Sequence, residues 1–131
     1  MVDTRHRASD GARIALACVR LVMGGLGLVA PTVLVRRLGV DPAGNTVALY
    51  AFRLFGVRNV VLGVALLGPA GPVRDHAVRT APIIHASDTL AAAVTGIRGP
   101  LPRRAAIMIV LISLVNTVLA ILASAPRAGD G

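Results

Sequence analysis

The stretch FRLFGVRNVVLGVALLG, residues 52–68, decides how the rest of the chain is read. It has the length and apolar character of a bilayer-crossing helix, which needs about 20 residues for about 30 Å of hydrocarbon. Yet it carries Arg53, Arg58 and Asn59, and Arg58 falls near its middle. A charged side chain at that depth is costly unless protein surrounds and pairs it. Some other part of the chain must therefore receive that guanidinium.

Composition supports a membrane setting. The chain has 131 residues, enough for one domain. Hydrophobic residues make up 55% of it, more than soluble domains usually contain, and the mean hydropathy is +0.75. Only 2% is aromatic, whereas a small soluble core draws much of its buried area from large rings. Ala, Val, Leu, Ile and Gly dominate instead, as in transmembrane helices that pack through small residues. Every basic residue is Arg and every acid is Asp. With the abundant Ala, Gly and Pro, this is the usage of GC-rich codons, so a high-GC bacterium such as an actinobacterium is the expected source.

The net charge of +8 raises the question of nucleic acid. Its distribution argues against that, because the arginines cluster between apolar runs, at residues 36–37, 74–79 and 98–104. There they suit anionic headgroups, and no basic face with stacking aromatics can be assembled. The expected partners are the lipid bilayer and other membrane-protein subunits, with no nucleic acid. The lone Cys18 excludes an internal disulfide and Cys-x-x-Cys redox chemistry.

In chain order, residues 1–11 read as a polar, frayed tail, with Ser9 or Asp10 available to cap the helix that follows. Four spans are expected, at about 12–30, 46–67, 78–97 and 105–123, followed by a tail at 124–131. Pro31 closes the first span, and PTVLVRRLGV after it suits a short interfacial helix. Gly68-Pro69-Ala70-Gly71-Pro72 stops the second span and leads into a polar linker at 73–77. The third span is the least apolar, with Pro82, His85, Ser87, Asp88, Thr89 and Thr95. The fold class is thus all-α, an integral membrane antiparallel four-helix bundle with a short interfacial helix after the first span. Arginines divide almost evenly between its two ends, so the charge rule sets no orientation.

The receiver for Arg58 follows from this layout. Arg20, Arg58, Asp88 and Asn116 lie near the middles of successive segments. In an up-down-up-down arrangement they fall within about one turn of a common depth, at about 1.5 Å rise per residue. Asp88 is the only acid in any of the four runs, so it is the natural counter-charge for Arg58 or Arg20, with a two-pronged pairing open to an arginine. Helical spacing gives each segment an inward stripe: Arg20, Gly24, Gly27 and Pro31 in the first, Ala81, His85, Asp88, Ala92 and Thr95 in the third, and Ser113, Asn116, Thr117, Ala120 and Ser124 in the fourth. Gly56 and Gly63 in the second allow close approach.

The candidate polar cluster is therefore Arg20, Arg58, Asn59, His85, Asp88 and Asn116. It reads as a structural clasp that fixes register, as a site for an anionic ligand drawn by the surplus positive charge, or as a proton-handling pair of His85 and Asp88. No catalytic residues, metal site or cofactor are expected. Only His85 is intramembrane, so bis-His haem ligation is closed, and His6 and His76 sit in loops without metal-ligating neighbours. MGGLG at residues 23–27 lacks the Lys-Ser/Thr ending of a phosphate loop and serves helix packing.

The chain resembles the DoxX-like small four-helix bacterial membrane proteins, close to a family known only as a domain of unknown function. The likeness is carried by Arg20 with Gly24-Gly25-Leu26-Gly27 and Pro31, by Arg53-Leu54-Phe55-Gly56-Val57-Arg58-Asn59 with Gly63, and by Asp88. It covers about residues 12–123 and implies a four-helix bundle in the bacterial inner membrane. Some DoxX-associated proteins are linked to thiol redox balance, a role not carried over to a chain with one cysteine. The expected function is a non-catalytic accessory subunit of a larger membrane complex, for example in lipid transport or respiration. The alternative is a small binding or transport protein with a mid-membrane Arg/Asp site for an anionic or lipidic ligand.

Overall fold

Each apolar run becomes a helix, and the Pro and Gly clusters between them set where the helices stop. The computed structural model describes residues 2–125. Its elements are α1 (Val2–Val29), α2 (Pro31–Arg37), α3 (Thr46–Leu67), α4 (Pro72–Arg98) and α5 (Arg103–Ala123). No strand forms among the described residues. α3 has the expected bounds, and α5 starts at Arg103 because the chain enters its first turn directly from Pro102.

Two expected linkers are helical instead. The N-terminal segment read as a polar tail is helix from Val2 onward, which makes α1 28 residues long, about 42 Å. Ser9 and Asp10 are therefore interior residues rather than caps. Ser9 Oγ donates to the His6 carbonyl at 3.1 Å, and Asp10 pairs with Arg13 at 3.5 Å. That i,i+3 ion pair supports the extra turns. Arg13 Nη1 also donates to the Leu66 carbonyl at 2.6 Å, tying the extension to the last turn of α3. The linker expected at 73–77 is likewise the first turn of α4, which begins with Pro72 at its N-terminus and Asp75 close behind. Proline is preorganised for that position, and an acid there faces the positive end of the helix dipole. His6 and His76 consequently lie on helices, not in loops. Of the tail expected at 124–131, Ser124 and Ala125 form a turn and the remainder lies outside the described residues.

The short helix after the first span forms as expected. Pro31 occupies its first turn, Arg36 and Arg37 its last. Gly39, at φ 74°, ends it. Its N–H reaches the Arg36 carbonyl at 2.9 Å while the Val40 N–H reaches that of Val35 at 3.4 Å. This paired closure needs a left-handed residue, which glycine supplies without strain.

Neighbouring long helices run antiparallel. α1 packs against α3 and α5, and α4 packs against α5 and α3. The α1–α3 contact is backbone to backbone. A Cβ on Gly27 would stand 2.7 Å from the Phe52 carbonyl oxygen, and one on Gly56 would stand 2.7 Å from the Leu28 nitrogen. At one end Leu16, Ala17, Leu66, Ala77, Ala81 and Ala120 form a dry core. Outward faces carry Val22, Val61, Ile83, Leu111 and Ile121, each more than half exposed. Among the described residues three helical stretches are long and apolar enough to cross a membrane: Thr4–Val29, Thr46–Leu67 and Arg103–Ala123. α4, though 27 residues long, is not among them.

Candidate functional site

Arg20, on α1, is the most deeply buried charge, only 3% exposed. Its Nη1 donates to Asn59 Oδ1 on α3 and its Nη2 to His85 Nδ1 on α4. Asn59 Nδ2 donates in turn to the Phe55 carbonyl at 2.7 Å, which leaves the amide oxygen facing Arg20. A guanidinium can only donate, so His85 Nδ1 is the acceptor in this contact. One turn farther along α4, Asp88 Oδ2 stands 3.6 Å from Arg20 Nη2. Both Asp88 oxygens accept from Arg58 Nη2, at 2.9 Å each.

The structure thus ties together five of the six residues expected from the sequence, Arg20, Arg58, Asn59, His85 and Asp88, and less evenly than their spacing suggests. Arg20 rather than Arg58 is the buried centre of the cluster. The Arg58 side chain is 46% exposed and lies over the Phe55 ring at 5.9 Å, a cation–π arrangement. It engages Asp88 through one nitrogen, so the fork-on-fork pairing open to it is not formed. Asn116, on α5, is buried beside the cluster but not tied into it. Its Oδ1 has no hydrogen-bond partner, and neither has Arg20 Nε. A buried polar atom without a partner costs about 1–3 kcal/mol. Two at one site are the least expected feature of the fold.

The sequence reading missed two features. Thr89 and Thr117 hydroxyls meet at 3.0 Å across α4 and α5, each also bonded to its own helix. The signal available was hydroxyl residues on facing stripes. The second feature is a cavity of about 420 Å³. Arg20, Arg58, Asn59, Asp88 and Asn116 form its polar floor, and Phe52, Phe55, Ile109 and Ile112 line its sides. Leu34, Arg37 and Leu38 reach it from α2 and the turn after it. Nothing in the spacing of α2 places it over the polar layer. It is held there by its contacts with α1 and α3 and by Gly39, where a Cβ would stand 3.0 Å from the Pro102 ring.

The arrangement holds charge in place and offers hydrogen bonds beside an apolar space. Among the described residues no group of three His, Cys, Asp or Glu side chains is placed to hold a metal ion. No protein-family model matches this chain, and no curated protein or solved structure matches it.

Proposed function

We propose that this protein is a four-span protein of the bacterial inner membrane, of the DoxX-like kind, that binds an anionic amphiphile between its helices. Its fourth span is α4, crossing beside the three apolar helices. Two features support this. The polar residues His85, Asp88 and Thr89 meet partners on other helices, while Ile83, Leu90, Val94 and Ile97 lie exposed on the outer surface. Inward polar groups with an apolar exterior are the usual condition for a polar helix in lipid.

The observation that carries the binding reading is the cavity itself. A purely structural clasp has no use for an apolar space of about 420 Å³ opening on its charges. Apolar walls with a few converging polar groups are the usual form of a small-molecule site. The charge sum agrees. Arg20, Arg37 and Arg58 line the cavity against the single acid Asp88, which leaves a surplus of positive charge for an anionic head to offset. We place the role in binding rather than turnover, since both members of the candidate proton pair, His85 and Asp88, are engaged by arginines. The accessory-subunit expectation rested on Ala/Gly/Val-rich helices that could pack against a larger assembly, and packing of these helices on one another and contact with lipid account for that composition without a partner protein.

Lipid mass spectrometry of the purified protein tests the reading. One amphiphile enriched over the bulk membrane lipids is expected in the wild type and lost in Arg58→Ala, whose helix content is unchanged. No enrichment in the wild type, with Arg58→Ala only lowering the melting temperature, would establish the clasp instead.

A further inference from the structure

We infer that the cavity opens sideways into the bilayer between α3 and α4, so that its occupant is a molecule already in the membrane and enters from the hydrocarbon rather than from water. This rests on the binding reading above and gives the route, and with it the class of ligand, for that same site. Of the neighbouring long helices, α3 and α4 touch least. The Arg58–Asp88 pair, at 2.9 Å, ties them at the polar layer. Beyond it the walls are unequal, with Phe52 and Phe55 on α3 facing a cavity that α4 lines with Ala91 and Ala92. Alanine side chains are too short to fill the seam from the α4 side. Arg58, Ala91 and Thr95 line the cavity and are also exposed, as residues at a mouth must be. On the α1 wall, Val19, Arg20 and Met23 are buried or half-buried.

The surroundings of the mouth set what it opens onto. Thr95 lies seven residues beyond Asp88 on α4, about 10 Å along the helix, and the hydrocarbon extends ~15 Å to either side of mid-depth. The rim is apolar, since Leu54 and Val57 on α3 and Leu90 and Val94 on α4 are each more than two-fifths exposed. Thr95 Oγ1 donates to the Ala91 carbonyl at 2.8 Å, so its hydroxyl needs no water. The end of the cavity under α2 is covered instead. Leu34, Leu38 and Leu101 reach over it beside the exposed Arg37, and Gly39 packs against the Pro102 ring. On α5, Met108 and Ile112 also line the cavity and are exposed. That helix, however, packs more closely on both α1 and α4 than α3 does on α4.

The test bridges the seam and asks whether the membrane still reaches the cavity. Phe52→Cys and Thr95→Cys, in a Cys18→Ser background, put one thiol on each side of the mouth. The whole chain, in phosphatidylcholine vesicles, is joined across them by a short bis-methanethiosulfonate. It is then illuminated with trifluoromethyl-iodophenyl diazirine, an apolar photoreactive reagent that dissolves in hydrocarbon. Mass spectrometry should find label on Ala92 and Ile109 before bridging, its loss after bridging, and its return when a reductant releases the bridge. Label on the outward Leu111 and Ile121 should not change. A nitroxide attached at Ala91→Cys should be relaxed far more by dissolved oxygen than by a water-soluble nickel chelate. Cavity label that survives bridging would overturn the portal, as would its absence throughout in a protein that still retains an enriched amphiphile, and either leaves the binding reading in place. Stronger relaxation by nickel would put the mouth in water, and weak relaxation by both reagents would put another helix over it; each overturns entry from the hydrocarbon. No cavity label together with no enriched amphiphile in the wild type would overturn both readings.

Discussion

The molecule has two unlike halves divided by the Arg20 layer. Toward the N-terminus of α1, alanines at 17, 77, 81 and 120 let the four long helices close onto Leu16 and Leu66, and a separate, more open groove between α3 and α4 is lined by Val61, Ala65, Pro72, Ala77 and Ile84. Beyond Arg20 the same helices enclose a cavity, although their residues are larger: Phe52, Phe55, Met108 and Ile112 line it instead of filling it. The difference lies in how helices pair. α1 and α3 are locked by glycine contacts along their length, and α4 and α5 stay close where a Cβ on Gly96 would be 2.9 Å from the Ala106 Cβ. α3 and α4 touch much less. The molecule is two tight pairs that share a small-residue core at one end. At mid-depth Arg20 and Arg58 reach across to His85 and Asp88, and beyond that layer the cavity lies between the pairs, reached by α2. Small side chains near the charges set which half closes, and the charges keep the other half from being filled.

Breaking a pair should cost most. Gly56→Leu would drive a side chain into the Leu28 nitrogen and the Gly24 carbonyl oxygen, 2.7 and 2.8 Å from the ideal Cβ position. Backbone cannot rotate away as a flexible side chain can. The loss should exceed the ~1–3 kcal/mol usual for overpacking and approach the whole stability of a small domain. Size-exclusion chromatography and circular dichroism should find no monodisperse helical protein. Next comes the layer between the halves. Arg20→Met keeps volume but strands Asn59 Oδ1, removes the donor to His85 and takes a positive charge from beside Asp88. Removing one partner of a buried charged network costs about 3–5 kcal/mol, readable by equilibrium unfolding in mixed micelles. A change under 1 kcal/mol would mean that the two pairs are joined by the alanine core alone.

That layer shows how far the sequence can be read. Arg20, Arg58, Asp88 and Asn116 sit at matching depths because helical rise is fixed and the Pro/Gly stops mark the segments, so their convergence was legible. Which arginine is buried was not. Both lie mid-helix in apolar runs, and only the rotation of α3 decides between them. Gly56, Asn59 and Gly63 turn toward α1 and carry Arg58 round to the α4 side, where it is half exposed. The cavity was also illegible. Its residues read as ordinary core, and what holds it open is the wide seam between pairs and the docking of Gly39 beside Pro102. The helical N-terminus escaped for a simpler reason. Polar residues before an apolar run look like a tail until Arg13 is seen bonded to Leu66, 53 residues away.

The smallest effects discriminate the halves most directly, because one substitution on one helix should change sign between them. Ala81 is 3% exposed in the closed half, where Leu16, Leu66 and Ala120 belong to the same cluster. Ala81→Leu overfills that space and should lower unfolding stability by about 1–3 kcal/mol. Ala92, three turns farther along α4, lines the cavity. Ala92→Leu places its added atoms in open volume and should raise stability by about 0.5–2 kcal/mol, as cavity filling does, while reducing the amphiphile that co-purifies with the protein. Equal losses for both substitutions would mean that the open half closes in the bilayer, and the distinction between filled and unfilled halves would fall with it. Opposite signs with the co-purified amphiphile reduced only in Ala92→Leu would fix the cavity as a place kept empty for a ligand rather than a packing fault.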